Sequence, residues 1–398
     1  MLATLARLLG DLSLAEDAVQ EAFVEALRAW PERGVPRNPG AWITATARNR
    51  AIDRARRDAA RDRKQVAAVR ALPHPDPEPD PLPPAESHAV ADDRLRLIFT
   101  CCHPALAPQA QVALTLRLVC GLQTAEIARA FLQAEATVAR RLVRAKAKVR
   151  DAVIPFRVPP AHLLPERVPY VLACAYLVFS EGYAATAGDE LVRHDLCDEG
   201  MRLARLVVEL MPDEAEARGL LALMLVQDSR RAARLSADGE LVLLEHQDRS
   251  LWDHDRIAEG TAELERALLR RRPGPYQLQA AIAGLHVTAP SWSDTDWPQI
   301  ASLYAELARV APSPVVELNR AVAVAFVDGP AAGLAVVDAV ADDARLGRTH
   351  LLPATRADLL RRLGRREDAA AAYRDALALV GTAPERSFLV RRLSEVTR

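Results

Sequence analysis

Aromatic residues are scarce in this sequence. Phe, Trp and Tyr together make up 5% of it, although 50% of the residues are hydrophobic. The hydrophobic content comes mainly from Ala, Leu and Val, and Arg is abundant as well. Because Ala, Leu and Arg favour helices, this composition indicates helices rather than sheets, and 398 residues suffice for two to four domains.

Cysteine is also rare. The five cysteines are odd in number, and no two of them have CxxC spacing. This argues against a disulfide framework or a zinc ribbon and favours a reducing cytoplasm. Cys101, Cys102 and His103 are adjacent, but they lack a second pair of ligands and lie beside an apolar helical pattern. We therefore predict buried structural thiols rather than a metal site.

Long apolar runs are missing as well. None reaches the length of a membrane span, and the N-terminus lacks the apolar core of a signal peptide. The sequence therefore predicts a soluble, cytoplasmic protein.

Net charge is almost absent, since the formal charge is −1. That value hides an asymmetry. Residues 1–150 contain 23 Lys and Arg against 17 Asp and Glu, whereas residues 151–398 contain 29 against 36. A basic first part and an acidic second part predict a module that faces nucleic acid, joined to a segment that does not bind it.

Proline is concentrated in one stretch. Residues 72–84 contain seven prolines in thirteen positions. Such a composition predicts an extended, solvated linker with polyproline character. This linker divides the first 150 residues into two small helical modules.

The first module begins with a helical pattern, "DLSLAEDAVQEAFVEALRAW". Ser13 and Glu16 have the spacing of a capping box, and apolar residues, including Phe23, follow with helical periodicity. Pro31 is expected to end this helix. Residues 32–40 contain two prolines and two glycines, which predict a loop.

The second helix of this module becomes steadily more basic. Asn49, Asp53 and Arg57 lie four residues apart and therefore share one face. The pattern fits contact with nucleic acid. It fits equally an ion pair between Asp53 and Arg57 on a surface helix, so both interpretations stay open at this point.

The second module ends in a helix-turn-helix pattern, a short helix from Thr124, a tight turn and a longer helix to about Arg150. On the longer helix one narrow stripe is apolar: Val138, Leu142, Ala145 and Val149. The opposite face is polar and basic: Thr137, Arg140, Arg141, Arg144 and Lys148. We expect the stripe to dock on preceding helices and the basic face to enter a DNA major groove, although a solvated face of a structural helix has the same pattern.

Residues 161–398 read as helices joined by short loops. Residues 354–379 carry the Leu-Gly, Ala and Tyr positions of a tetratricopeptide repeat. Residues 315–340 are a looser version of this pattern, and residues 198–226 are looser still. The sequence therefore predicts a small helical array.

Three motifs occur in order around the proline-rich stretch: "DLSLAEDAVQEAFVEAL", "GAWITATARNRAIDRARR" and "LTLRLVCGLQTAEIARAFLQAEATVARRLVRAKAKVR". They resemble domains 2 and 4 of the extracytoplasmic-function sigma factors, a group of the sigma-70 family. The remainder, with "LVFSEGY", "GPYQLQAAIAGLH" and "PSPVVELNRAVAVA", resembles the long C-terminal extension of one subgroup. The chain begins almost inside the first conserved helix, where family members usually carry further residues.

This resemblance implies an all-α fold of four segments. They are region 2 at 1–64, the proline-rich linker at 65–91, region 4 at 92–152, and a helical, tetratricopeptide-like extension at 153–398. The implied function is that of a non-catalytic subunit that binds core RNA polymerase, recognises promoter DNA and helps to open it.

The resemblance also implies roles for individual residues. Polymerase docking falls to Asp17, Gln20, Glu21 and Phe23. Contact with the promoter −10 element falls to Asn49, Arg50, Asp53, Arg54 and Arg57, while the loop at 32–40 lies where the family captures an unstacked base. Contact with the −35 element falls to Thr137, Arg140, Arg141, Arg144 and Lys148. No cofactor, metal ion or catalytic residue is implied.

Polar clusters in the C-terminal part lie outside the repeat pattern, at 181–183, 193–195, 246–255 and 293–297. We predict that they cap helices and line grooves between repeats. An enzyme that uses His194 or His254 with acidic partners is an alternative without a supporting motif, and a ligand-binding groove is another. For the whole chain, a helix-turn-helix regulator that acts without polymerase stays open. A further hypothesis is that the acidic extension contacts the basic modules in cis and modulates them.

Overall fold

The computed structural model describes residues 2–9, 11–61, 86–131, 133–185, 191–347 and 349–398. These residues form helices joined by short loops, and the only β-type pairing within them is an isolated bridge between Leu235 and Leu241. The predicted all-α class is therefore confirmed. The chain divides into two compact units, residues 1–129 with 133–174 and residues 130–132 with 175–398.

The helices of the first part of the chain are α1 Leu2–Leu9, α2 Leu12–Arg33, α3 Pro39–Arg61, α4 Glu86–Cys101, α5 Pro108–Leu114, α6 Thr124–Ala130 and α7 Glu135–Asp151. A π-helical turn, Thr115–Val119, continues α5. Residues 65–85 of the predicted linker lie outside the described residues. The rest of the predicted linker, residues 86–91, forms the start of α4. Helix α8, Leu164–Tyr183, begins in the first unit and ends in the second, so the boundary between units lies later than the predicted domain start at 153.

Helix α2 differs from its prediction at both ends. Asp11, not Ser13, is the N-cap, and its carboxylate accepts hydrogen bonds from the amides of Ser13 (2.7 Å) and Leu14 (3.0 Å). Pro31 lies inside the helix instead of ending it. The helix ends at Gly34, which has a φ of 79° and donates its N–H to the Trp30 carbonyl (2.9 Å). A residue without a Cβ adopts this left-handed conformation at low cost.

After Leu12 at its start, the buried face of α2 consists of small residues: Ala15, Ala18, Ala22 and Ala26. Helices α1 and α3 pack against α2, and α1 also packs against α3 and α4. Small side chains on the contact face allow such close packing. The larger apolar residues of α2 therefore point elsewhere, and the periodicity of Phe23 does not place it in the core.

The adjacent cysteines lie in the core of the first unit. Cys101 and Cys102 are buried, as predicted, and the Sγ atoms of Cys102 and Cys174 each lie 3.5 Å from the Thr115 hydroxyl. Burial raises the pKa of the Cys101 thiol, so it stays protonated near neutral pH. These are inert structural thiols rather than reactive ones.

The second unit continues with α9 His194–Leu210, α10 Ala215–Asp228, α11 His254–Leu268, α12 Pro275–Thr288, α13 Trp297–Val310, α14 Pro314–Val327, α15 Pro330–Ala339, α16 Leu351–Arg362, α17 Arg366–Leu379 and α18 Ala383–Thr397. Consecutive helices pack on one another from α12 onwards. The strongest repeat pattern corresponds to the pair α16–α17, which turns at Gly364 (φ 74°) and buries Tyr373. The predicted helical array is confirmed.

One segment, Ala161–Tyr183, is long and apolar enough to cross a membrane by length and composition, with a mean hydropathy of 1.2. Core helices of soluble proteins meet the same criterion. Val171, Leu172, Val178 and Phe179 of this segment are buried inside the protein.

Candidate nucleic-acid interface

Helix α7 separates an apolar face from a basic one. Its four predicted core residues, Val138, Leu142, Ala145 and Val149, are all buried, and α7 packs on α5. Arg140, Arg144 and Lys148 are exposed, while Thr137 and Arg141 are half-buried. Arg141 donates a hydrogen bond from Nη1 to Gln133 Oε1 (2.8 Å) in the preceding turn, which fixes its position at the edge of the face.

An apolar residue lies beside the basic face and was missed by the sequence reading. Val143 is 68% exposed, and the helical periodicity of α7 places it next to Arg140. Apolar side chains in a major groove contact the methyl group of thymine. The sequence pattern of α7 already excludes Val143 from the buried stripe, which is the signal that points to it.

A mostly buried ion-pair cluster joins α2 to the helix-turn-helix module. Glu16 accepts hydrogen bonds from Arg117 Nε (2.6 Å) and from Lys146 Nζ. The three side chains are 13%, 15% and 18% exposed, respectively. Arg117 also donates to the Leu122 carbonyl (3.1 Å) and so holds the turn before α6. Glu16, which the sequence suggested as part of a capping box, instead neutralises two cations of the other module.

The basic helix α3 exposes Asn49, Arg50 and Asp53. Arg50 forms an ion pair with Glu25 of α2 (3.1 Å). The side chains of Arg54 and Arg57 lie outside the described residues, so the predicted pairing of Asp53 with Arg57 stays a prediction.

The loop between α2 and α3 is shorter than predicted, because α3 already begins at Pro39 and Asn38 accepts a hydrogen bond from the Ala41 amide (3.1 Å). Two tryptophans flank this loop. The rings of Trp30 and Trp42 meet edge to face with their centroids 5.6 Å apart. The sequence reading missed this pair, although both residues adjoin the predicted loop.

The outward face of α2 carries an apolar stripe. Phe23, Val24 and Leu27 form the stripe, and Phe23 is 44% and Leu27 77% exposed; the polar Gln20 lies on the same helical face. Asp17 and Glu21 are exposed on the same helix. Single exposed apolar residues are common, but a continuous stripe bordered by acids is typical of a protein-binding surface.

Two of the four polar clusters, 246–255 and 293–297, cap helices as predicted, whereas Arg193 precedes α9 without a capping hydrogen bond from its side chain. Asp253 caps α11 through the Arg256 amide (3.0 Å), and Asp296 caps α13 through the Gln299 amide (2.9 Å). Arg193 and Glu181, from two of the clusters, lie 3.7 Å apart. Within the described residues no group of three His, Cys, Asp or Glu side chains could hold a metal ion.

Family models match three parts of the chain. Sigma-70 region 2 matches residues 1–61, sigma-70 region 4 matches residues 96–149, and a family of unknown function, DUF6596, matches residues 167–268. The first two correspond to α1–α3 and to the helix-turn-helix module. The two exposed faces, on α2 and α7, therefore lie in segments that match the DNA-binding domains of sigma factors.

Comparison with individual proteins gives the following similarities. An uncharacterized protein of Rhizobium meliloti strain 1021 is 45% identical over 400 residues, covering 98% of this chain and 92% of that protein. The probable ECF RNA polymerase sigma factor SigI of Mycobacterium tuberculosis is 29% identical over 171 residues, covering 42% of this chain and 57% of SigI. A thermophilic TPR protein of Thermus thermophilus is similar with a TM-score of 0.35 and 18% identity, over 51% of this chain and 91% of that structure. The chain belongs to the extracytoplasmic-function sigma factors of the sigma-70 family, with a long helical C-terminal extension.

Proposed function

We propose that the protein binds core RNA polymerase and directs it to promoters, where it supports recognition and initiation of transcription. The observation that carries the proposal is that one compact unit presents two different exposed faces. The α2 stripe of Phe23, Val24 and Leu27 suits a protein partner, and the basic face of α7 suits DNA. A repressor that binds duplex DNA alone has no need of the first face.

Docking on polymerase is assigned to Asp17, Gln20, Glu21 and Phe23, and the structure adds Val24 and Leu27 as neighbours on the same face. Apolar anchors supply most of the affinity of such interfaces, whereas acids at the rim steer association. Since this partner and promoter DNA are found in the bacterial cytoplasm, we infer that the protein works there.

Contact with the −35 element is assigned to Thr137, Arg140, Arg141, Arg144 and Lys148. The −10 element is assigned to Asn49, Arg50, Asp53, Arg54 and Arg57. Arg side chains bind guanine edges with two hydrogen bonds, and other basic residues bind phosphates. Trp30 and Trp42 add a stacking surface beside the loop that is proposed to receive an unstacked base.

This proposal requires the contact between α2 and α7 to open. The two promoter elements lie about 25 base pairs apart, which is roughly 85 Å at about 3.4 Å per base pair. A compact unit of about 170 residues has a radius of gyration near 15 Å and is about 40 Å across. The Glu16 bridge to Arg117 and Lys146 therefore belongs to the free protein and breaks when both elements are occupied.

The C-terminal extension is proposed to modulate these activities. The charge asymmetry between residues 1–150 and 151–398 supports this hypothesis. A deletion that tests it should keep residues 161–174, because Arg167 Nη2 donates to the Phe99 carbonyl (2.9 Å) in the core of the first unit. Unchanged transcription and promoter affinity after removal of the remainder would contradict a modulatory role.

The central experiment is transcription in vitro with core polymerase, the full chain and genomic DNA. Specific transcripts that require the added chain support the proposal. Promoter binding by the chain alone, with no effect of polymerase, would instead indicate a regulator of the helix-turn-helix type.

Two sets of variants separate the partners. Phe23→Ala with Leu27→Ala should weaken binding of core polymerase at least about 30-fold, because apolar anchors in an interface contribute about 1–2 kcal/mol each. Leu269→Ala, at a residue that is 79% exposed in the second unit, is the matched control and should have no effect. Equal polymerase binding by both variants would exclude the α2 stripe as the docking surface.

A further inference from the structure

Four segments that are assigned no role in promoter recognition meet in the second unit. They contribute Tyr183, the arginines Arg230, Arg234 and Arg249, and His286, which we call the cationic cluster. Arg230 Nη2 donates to the Tyr183 hydroxyl (3.2 Å), and the Arg234 guanidinium stacks on the Tyr183 ring at 3.7 Å. Residues distant in the sequence thus place two guanidinium groups on one tyrosine.

The third arginine connects the cluster to α12. Arg249 Nη1 donates to the carbonyls of His286 (3.0 Å) and Ala289 (2.7 Å), and its guanidinium lies 4.4 Å from the centre of the Trp252 ring. Carbonyl oxygens orient the arginine but do not neutralise its charge.

Within the described residues, the three arginines of the cluster outnumber the carboxylates that act on them. Within the described residues, neither Arg230 nor Arg249 forms an ion pair, whereas the adjacent Arg231 pairs with Asp198 and Asp228. The acidic groups that face the cluster are Asp294, which acts on Arg249, and Glu385, which acts on Arg234.

The electrostatic consequence is visible in the neighbouring groups. Burial, and then the charges of Arg230 and Arg249, lower the pKa of His286 to about 4. Burial, and to a smaller extent the positive charge of Arg230, also lowers the pKa of Arg249. The histidine is therefore neutral near pH 7, and the guanidinium groups repel one another across a partly desolvated space.

Two side chains of the cluster and the neighbouring Trp252 carry buried polar atoms that make no hydrogen bond within the described residues. Arg230 Nε, His286 Nδ1 and Trp252 Nε1 are buried, and none of them has a hydrogen-bond partner among the described residues. Buried polar atoms are almost always satisfied in proteins, so these three unpartnered atoms require an explanation. Together with the unneutralised charge, the N–H groups of Arg230 Nε and Trp252 Nε1 match the acceptors of an oxyanion, and His286 Nδ1 does so in the tautomer that carries its proton there.

We propose that the cationic cluster binds the oxyanion of a small organic molecule, a carboxylate or a phosphate monoester, with Arg230 and Arg249 as its counter-charges. Aromatic rings next to the cluster suit the organic part. Trp292 stacks on His286 with centroids 6.2 Å apart, and Trp297 meets His286 edge to face at 5.3 Å. This site lies in the extension and is independent of the proposed contacts to polymerase and promoter.

The test uses the full chain and three probes: inorganic phosphate, acetate and benzoate, each titrated at constant ionic strength against chloride. Thermal unfolding followed by tryptophan fluorescence should show a saturable rise in Tm with at least one probe, because a ligand that binds only the folded state stabilises it. The probe with the larger effect distinguishes a phosphate from a carboxylate site, and benzoate above acetate indicates a contribution of the aromatic rings. The absence of a saturable response to all three would overturn the proposal.

Variants distinguish a ligand site from a structural cluster. Arg230→Gln should weaken the anion response about tenfold or more, as expected for loss of a charge-assisted contact. Without anion, this variant should be as stable as the original chain or more stable, since it removes an unneutralised cation. Arg231→Gln is the matched control and should keep the anion response. A lower Tm of Arg230→Gln without anion, together with an unchanged anion response, would show that Arg230 serves only the fold.

Discussion

The bridge of Glu16 to Arg117 and Lys146 offers the sharpest test of how the first unit is held closed. Glu16→Gln keeps the shape of the side chain and removes its charge. Exposed ion pairs contribute about 0.2–1 kcal/mol, whereas breaking a fully buried pair costs about 3–5 kcal/mol. With side chains that are 13–18% exposed, the loss should lie between these limits, at about 2 kcal/mol.

Amide hydrogen exchange of the full chain is the suitable assay, because a chain of two units does not unfold in one step. A loss of about 2 kcal/mol should accelerate exchange in peptides of α2 and α7 about 30-fold. Peptides from the second unit should be unchanged. Glu25→Gln is the matched control, since Glu25 and Arg50 are 37% and 46% exposed, and it should accelerate exchange less than about fivefold.

The same change in free energy should appear in promoter binding. If the bridge must break before both elements are occupied, Glu16→Gln removes part of that cost and should favour the promoter complex by up to about 30-fold. Two results would refute the reasoning. Exchange in Glu16→Gln equal to that in Glu25→Gln would show that the bridge does not hold the unit closed. Faster exchange without tighter promoter binding would show that opening is not part of recognition.

Three further predictions concern other parts of the chain. Arg144→Ala should reduce the slope of log binding constant against log salt concentration by about one unit for promoter binding. Arg150→Ala, which lies off the basic face and beside Asp151, should leave this slope unchanged, and equal slopes for the two variants would contradict the assigned face. Gly333→Ala should destabilise the second unit by about 1–3 kcal/mol in urea unfolding, because a Cβ there would lie 2.6 Å from the Ala321 carbonyl oxygen, whereas Gly284→Ala meets no atom within 4 Å and should stabilise by about 0.5–1 kcal/mol. The pKa of His286 is about 4 in the folded state against an ordinary 6.5, so acid protonates the unfolded state first; stability should fall from about pH 6.5 towards pH 4, and His286→Gln should flatten this loss in Tm measurements.

Periodic patterns predicted the helices and the faces of α7 correctly. Val138, Leu142, Ala145 and Val149 are buried because a stripe at helical spacing has only one way to leave water. The same reasoning failed for α2, which has two apolar faces. One is made of alanines and the other contains Phe23 and Leu27, and the fold buries the alanines. Residue size suggests the opposite choice, but close contact with α1 and α3 favours the small side chains.

Glu16 shows the limit of local rules more clearly. Its spacing from Ser13 fits a capping box, yet Asp11 caps the helix and leaves the Glu16 carboxylate available. The partners of Glu16 lie 101 and 130 residues further along the chain. No sequence periodicity connects such distant positions, so the Glu16 contact can be found only from the tertiary structure. The proposed promoter residues, in contrast, follow from the pattern of a single helix.

The cationic cluster follows from the same competition between local and distant partners. The second part of the chain has more acids than bases, so a surplus of cations within it is unexpected. Local caps account for it. Asp248 accepts from the Ser250 amide (2.9 Å) and Asp253 from the Arg256 amide (3.0 Å), so the acids on either side of Arg249 serve helix ends. Arg249, between them, donates to the carbonyls of His286 and Ala289 and lies near the charge of Arg230, and Asp294 is the acidic group that acts on it. Because these two acids cap helix ends, positive charge remains on the cationic cluster, and the proposed oxyanion is complementary to that charge.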